Sequence, residues 1–359
     1  MKHLPILGAG LFALVLASAA AAQDDAATLN MEGMAAMNEA DYPTALKYFM
    51  QAAAMGYASA ENNLAVLYYR GDGVQQDYGQ ALAWYQKAAA QGNAGAATDL
   101  GYMYENAIGV KQDYAAAVGW YQKGADAGNM IAQYNLAYMY EGGDGVPQDY
   151  AKAFALYQKS ADQGDPTAEV SLGLYYENAI TVAEDFEKAA YWFGKAADQG
   201  DAEGENNLAE LYETGKGVTP DIVKAAELYQ QAADQGNAAA ESALGYLYGT
   251  GDGVGKDMVK AVEWDKKAAD QGNVNGEVNL AYLYLDGEGG LAKDASQAAA
   301  LLQKACDQGS AQAELSLGLL YMDGEGVAKD EAKGKALITK AAADGDPDAK
   351  ILVDAGTLN

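Results

Sequence analysis

The stretch that decides the fold runs from Asn93 to Gly128 and reads NAGAATDLGYMYENAIGVKQDYAAAVGWYQKGADAG. Most of the chain repeats this phrase with small changes, at a spacing of 36 residues that lengthens once to 37. The closing glycine is found at Gly56, Gly92, Gly128, Gly164, Gly200, Gly236, Gly272, Gly309 and Gly345. A fixed period of this length is typical of an array of stacked units and not of a domain with one central core.

Each unit predicts two helices, which we call helix A and helix B. In the quoted unit, Asn93 is a typical N-cap residue, and Ala96 and Leu100 follow at helical spacing to give helix A an apolar stripe. Helix B begins at Asp113, whose carboxylate suits the positive end of a helix dipole. It ends before Gly128, which suits a left-handed C-cap. The array is therefore predicted to be all-α.

A position limited to glycine or alanine follows the buried leucine of helix A. It is occupied by Ala65, Gly101, Ala137, Gly173, Ala209, Gly245, Ala281 and Gly318. Such small residues indicate close contact between helices. Because alanine occupies this position in other units, we expect Gly101→Ala to be tolerated and a leucine there to overpack the contact.

The first 22 residues have the pattern of a secretory signal peptide. Lys2 and His3 form a basic start, an apolar run follows from Leu4 to Leu16, and small residues lead to Ala22. No cysteine follows, which argues against a lipoprotein signal. The alternative, a short membrane anchor, would need an apolar run of about 20 residues. We expect a periplasmic or secreted protein with no membrane insertion after cleavage.

Composition excludes several classes of function. The chain contains 51 acidic and 23 basic residues, a net charge of −28, which argues against nucleic acid as a partner. Its single histidine, His3, is lost with the signal peptide, so histidine-based catalysis and histidine-ligated zinc are excluded. Cys306 replaces an alanine of helix B and is interpreted as a buried small residue. The glycine-rich loops lack the endings of phosphate or calcium loops, so no cofactor and no metal are predicted.

The repeated phrase resembles the Sel1-like repeat, a relative of the tetratricopeptide repeat. The resemblance rests on Leu100-Gly101-Tyr102-Met103-Tyr104, on Gly109-Val110 followed by Asp113, and on Ala117 to Gly128. It implies a right-handed α-α superhelix, or solenoid, of stacked two-helix repeats. The predicted organisation is a signal peptide (1–22), a short flexible N-terminus (23–30), a tetratricopeptide-like capping helix pair (31–56), eight repeats (57–346), and a C-terminal capping helix and tail (347–359).

The resemblance also implies that the A helices line the concave side of the solenoid. The positions two before, two after and five after the buried leucine would then point into the groove, and they vary from unit to unit. The predicted partner-binding residues at these positions are Tyr102, Tyr134, Tyr138, Glu105, Glu141, Glu177, Glu210, Glu213, Tyr246 and Tyr282. Tyrosine is a frequent binding anchor, and glutamates would attract a basic segment. The alternative is that these tyrosines only cover neighbouring helices.

The function predicted from these features is that of an exported, non-catalytic scaffold or adaptor that binds a protein or peptide in cell-envelope signalling or assembly. One alternative is a hydrolase acting on the cell wall or on β-lactams. A cysteine-rich branch of the family has been linked to β-lactam hydrolysis, but it carries paired cysteines, and the mature chain has neither these nor a Ser-x-x-Lys motif. The other alternative is direct binding of glycan strands on the tyrosine rows.

Overall fold

The computed structural model describes the backbone of residues 8–356 and the side chains of residues 23–356. Residues 1–7 and 357–359, and with them the start of the predicted signal peptide, lie outside the described residues. The described part contains nineteen helices and no strand, which confirms the predicted all-α solenoid of two-helix repeats. Within it, no helix combines the length and apolar character needed to cross a membrane.

The chain divides into two compact units, Met1–Ala168 and Glu169–Asn359. The first contains α1 (Gly8–Asn38), α2 (Tyr42–Ala54), α3 (Ala58–Arg70), α4 (Tyr78–Ala90), α5 (Ala94–Glu105), α6 (Tyr114–Asp126), α7 (Met130–Gly142) and α8 (Tyr150–Ala161). From α3 onward, odd-numbered helices are A helices and even-numbered helices are B helices. Residues 23–30, predicted to form a flexible segment, lie within α1, where Ala26 is buried.

The second unit continues the same alternation. The division falls inside α9 (Pro166–Glu177), and the helices that follow are α10 (Phe186–Asp198), α11 (Ala202–Thr214), α12 (Ile222–Asp234), α13 (Ala238–Thr250), α14 (Met258–Asp270), α15 (Val274–Asp286), α16 (Ala295–Asp307), α17 (Ala311–Asp323), α18 (Glu331–Ala343) and α19 (Pro347–Asp354). The stretch predicted as a C-terminal capping helix contains α19.

The helix ends follow the capping pattern predicted from the sequence. Asn93 accepts a hydrogen bond from the amide of Ala96 (2.8 Å), and Asp113 accepts one from the amide of Ala116 (2.9 Å). These bonds satisfy amides that have no partner inside the first turn of a helix. Gly128 has a φ of 85°, a left-handed conformation that glycine adopts without steric cost.

The loop between helices A and B also depends on left-handed residues. In most units these are glycines, but Ala179 and Thr181 take φ values of 53° and 62° in the loop before α10. This loop therefore has the left-handed backbone of its glycine-containing counterparts, although a Cβ atom makes that conformation unfavourable.

The contact between helices A and B is closest at the glycine-or-alanine position. Leu100, Met103 and Tyr121 are fully buried between α5 and α6. A Cβ atom added to Gly101 would lie only 2.5 Å from ring atoms of Tyr121. The expectation that Gly101→Ala is tolerated is therefore wrong for this unit, because the helix and the ring would have to move apart.

We expect Gly101→Ala to lower the free energy of unfolding by about 1–3 kcal/mol, the usual cost of overpacking a core. The matched control is Gly119→Ala on α6, where an added Cβ meets nothing within 4 Å. The control should stabilise the protein by about 1 kcal/mol, because alanine is the better helix former. Urea unfolding measures both changes. Equal stabilisation by the two substitutions would contradict the close contact.

Candidate interaction surface

Four tyrosines occupy the same exposed position, two residues after the buried leucine of helix A. Tyr102 and Tyr138 in the first unit are 46% and 53% exposed, and Tyr246 and Tyr282 in the second are 54% and 36% exposed. Neighbouring positions on these helices are buried, so the A helices already have a packed side. The exposed rings are therefore additional to what the core requires.

In the second unit, residues of four A helices line one cavity. Helix α13 packs directly against α15, the A helix of the next repeat. A cavity of about 570 Å³ is lined by residues of α11, α13, α15 and α17, including Asn206, Glu210, Glu213, Tyr246 and Gln312. The structure thus brings together three of the predicted partner-binding residues, Glu210, Glu213 and Tyr246.

In the first unit, the predicted residues are placed differently. Tyr102 lines a recess of about 180 Å³ with Tyr69, Arg70 and Asp99. Tyr138 is exposed on α7. Tyr134 is only half exposed, and its ring centre lies 5.5 Å from that of Tyr157, so this ring packs on a neighbouring helix.

Three of the predicted glutamates are held by buried tyrosines of helix B. Each accepts a hydrogen bond from the hydroxyl of the tyrosine 16 residues later. The pairs are Glu105 with Tyr121 (2.5 Å), Glu141 with Tyr157 (2.6 Å) and Glu213 with Tyr229 (2.8 Å). Burial raises the pKa of Tyr121 and of Tyr229, so both remain donors, and each hydroxyl fixes the position of its paired carboxylate.

In two repeats the residue 14 positions after the tyrosine also bonds to the tyrosine hydroxyl. Asn135 bonds to Tyr121 in this way. In the preceding repeat the corresponding residue is Asp99, which bonds to Tyr85, and burial raises the pKa of Asp99 to about 6. Sequence reasoning missed this network. The correlated change of residues 16 positions apart, as in Met322 with Ile338, is the signal that would have revealed it.

Phe193 interrupts the network because it has no hydroxyl. Glu177, 16 residues earlier, loses its donor, and burial together with the charge of Glu210 raises the pKa of Glu177. Asn207, 14 residues later, has a buried Nδ2 with no hydrogen-bond partner among the described residues. One missing oxygen therefore leaves Asn207 Nδ2 without a partner in the described part of the chain and Glu177 without the tyrosine donor found in other repeats.

We expect Phe193→Tyr to raise the free energy of unfolding by about 1 kcal/mol, because a hydroxyl would serve both Glu177 and Asn207. The matched control is Tyr121→Phe, which removes that hydroxyl from an intact network and should destabilise the protein by a similar amount. Urea unfolding measures both. Destabilisation by Phe193→Tyr would show that the site has no room for the oxygen.

A second buried network joins helices A and B of the same repeat and was also missed. In it, a glutamate on helix A accepts a hydrogen bond from a glutamine about 30 residues later, at the end of the next helix B. The pairs are Glu61 with Gln91 (2.7 Å), Glu169 with Gln199 (2.7 Å), Glu205 with Gln235 (2.8 Å), Glu241 with Gln271 (2.7 Å) and Glu277 with Gln308 (3.0 Å). Where Ala97 replaces the glutamate, Ala127 replaces the glutamine. These buried carboxylates hold the two helices of a repeat together and are not available to a partner.

Asp265 on α14 occupies the position that carries the buried tyrosine in other repeats. It is 2% exposed, and one carboxylate oxygen accepts a hydrogen bond from Asn279 at 3.1 Å. Gly249, 16 residues earlier, replaces the paired glutamate. Burial raises the pKa of Asp265 from 3.8 to about 7.

This raised pKa gives stability a defined dependence on pH. Between pH 4 and 7 the folded protein keeps a proton on Asp265 that the unfolded chain releases, so the free energy of unfolding should fall as pH rises through this window. The slope from this group is roughly 1.4 kcal/mol per pH unit at most. Asp265→Asn should remove it, which urea unfolding of both proteins at several pH values measures. Parallel curves for the two proteins would contradict the buried, protonated carboxyl group.

Comparison with known proteins agrees with this architecture. The Sel1 repeat profile matches residues 17–57, 58–93, 94–129, 131–165, 166–201, 202–237, 238–273, 274–310 and 311–346. The crystal structure of c5321, described as a protective antigen of uropathogenic Escherichia coli with an SLR fold, is 35% identical, with 85% of this chain and 73% of that chain covered and a TM-score of 0.68.

A Sel1 repeat protein from Oxalobacter formigenes is 31% identical, with 86% of this chain and 89% of that chain covered and a TM-score of 0.60. No curated protein shows significant sequence similarity. Nine matched repeats, two similar solved structures and the paired helices described above lead to one conclusion. The chain belongs to the Sel1 repeat family.

Proposed function

We propose that the protein is an exported, non-catalytic scaffold whose A helices bind a protein or peptide partner. Sel1-repeat solenoids commonly mediate protein–protein interaction, and proteins of this family are generally non-catalytic. The observation that carries the proposal for this chain is the row of exposed tyrosines at one repeat position, Tyr102 and Tyr138 in the first unit and Tyr246 and Tyr282 in the second.

These rings are rigid side chains that are already exposed on folded helices before a partner binds. Tyrosine offers a large contact area and one hydrogen-bonding group, and it loses little side-chain entropy on binding. Each ring projects from a helix whose other side is packed into the core. Binding then requires little ordering of the scaffold, which is a main source of affinity.

Charge favours a basic segment in the partner. Glu105, Glu141 and Glu213 are each held by a buried tyrosine, so their carboxylates are positioned before the partner arrives. The net charge of −28 would attract a basic segment over a longer range and speed its association.

The predicted signal peptide at 1–22 supports a location in the periplasm or outside the cell. The similarity to a protein described as a protective antigen is consistent with an exported protein. Cell-envelope signalling or assembly is the role we propose in that location. A hydrolase and a glycan-binding protein are the alternatives that the experiment below distinguishes.

The test is photo-crosslinking in an envelope extract, with p-benzoylphenylalanine placed at Tyr102 or Tyr246. The control position is Tyr191, which is 59% exposed but lies on a B helix. We expect a protein to be captured from each of the two A-helix positions and not from Tyr191. The captured protein, once purified, should bind the wild type and lose at least tenfold in affinity to Tyr102→Ala/Tyr138→Ala, with Tyr191→Ala unaffected.

Equal crosslinking from all three positions, or unchanged affinity of the double variant, would contradict a binding surface on the A helices. Adducts that resist protease and disappear on glycosidase treatment would support glycan binding instead. Turnover of nitrocefin or peptidoglycan that a single carboxylate substitution abolishes would support the hydrolase.

A further inference from the structure

One repeat of the second unit replaces the tyrosine–glutamate pair by an acidic residue and a glycine. Asp265 replaces the tyrosine of helix B, and Gly249 replaces the glutamate of helix A. The space that those two side chains fill elsewhere is open here. It forms a cavity of about 340 Å³, lined by Gly249, Asp265 and residues of α13, α15 and α17.

The cavity contains one carboxylate and no charge to balance it. Asp265 is 2% exposed and receives one hydrogen bond, from Asn279 at 3.1 Å. The residues lining the cavity include no lysine, arginine or histidine and no second carboxylate; its other titratable groups are the hydroxyls of Tyr246 and Tyr282. A buried carboxylate is costly unless it is paired, so an external cation would be stabilised at this position.

Two glycines of α13 leave the space around the carboxylate unfilled. A Cβ atom on Gly245 would lie 2.5 Å from Oδ1 of Asp265, so only glycine allows the carboxylate its position. A glutamate at position 249, as in other repeats, would extend into the same space. The local sequence therefore favours an open cavity over a filled one.

Two aromatic rings line the same cavity as the carboxylate. Tyr246 is 54% exposed and Tyr282 is 36% exposed, and both line the cavity. The Tyr282 hydroxyl is held by a hydrogen bond to Oγ of Ser316 at 2.7 Å. Aromatic faces attract cations, and arginine also stacks on them. A buried carboxylate and two aromatic rings that line one cavity form a site for one cationic group with an aliphatic stem.

We propose that this cavity binds the side chain of a lysine or arginine carried by the partner. The inference rests on the proposed function, since it assigns a specificity pocket within the surface formed by the A helices. A neutral side chain would leave the Asp265 charge uncompensated, and an acidic one would be repelled. The pocket would thus select the register in which a basic segment binds.

The test uses small probes and needs no knowledge of the partner. n-Butylguanidinium, n-butylammonium and neutral n-butylurea are titrated into the mature protein at pH 8, above the pKa of about 7 for Asp265. NMR signals of the Tyr246 and Tyr282 rings report binding. We expect saturable shifts with at least tenfold tighter binding of a cation than of n-butylurea.

Asp265→Asn should abolish this preference, because it removes the charge and keeps the shape. The matched control is Asp270→Asn, which removes one charge from an exposed position of the same helix and should leave the preference unchanged. The double variant Gly249→Glu/Asp265→Tyr restores the pair found at Glu213 and Tyr229, fills the cavity and should bind no probe.

The absence of any preference for the cations in the wild type, or equal loss in Asp265→Asn and Asp270→Asn, would overturn the pocket. This outcome is separable from failure of the proposed function. If a partner is captured through Tyr102 but the protein shows no preference for the cationic probes, only the pocket hypothesis is contradicted. If the protein prefers the cationic probes but captures no protein, only the proposed scaffold function is contradicted.

Discussion

The buried tyrosine of helix B, present as Tyr85, Tyr121, Tyr157 and Tyr229, is the constraint on which four of the repeats depend. Its ring lies on the glycine or alanine of helix A, and its hydroxyl requires an acceptor in a place that water does not reach. The requirement is met by a glutamate at the groove edge, as in Tyr121 with Glu105, or by an aspartate of the next repeat, as in Tyr85 with Asp99. One side chain therefore sets the helix spacing and the position of a groove carboxylate.

A repeat array can vary its exposed residues because a separate set of buried positions packs its helices together. The buried glutamate–glutamine bonds, such as Glu205 with Gln235, join the two helices of one repeat and use two side chains that face no partner. The positions two residues after the buried leucine take no part in this hydrogen bonding, and tyrosine is exposed there in both units. Where the internal network itself changes, at Phe193 and Asp265, unsatisfied or charged groups come close to the groove.

The helices and their ends could be predicted from the sequence, because the repeat period and the helix caps are local features. Asn93 and Asp113 cap their helices as the pattern indicates, since an N-cap needs only the residues of one turn. The sequence allowed the groove residues to be predicted. It did not reveal their hydrogen-bond partners, because paired residues such as Glu105 and Tyr121 belong to different helices. The same limit explains the error at Gly101, where the position allows alanine in other units but the observed ring distance does not.

The sequence by itself determined the number and type of helices, their ends and the repeat that stacks them, since these depend on spacing along one chain. Only the tertiary structure decided which carboxylates are bound internally, which tyrosines remain exposed and where a side chain is missing from a packed position. Those properties depend on distances between residues 14 to 30 positions apart, brought together when one helix packs against the next.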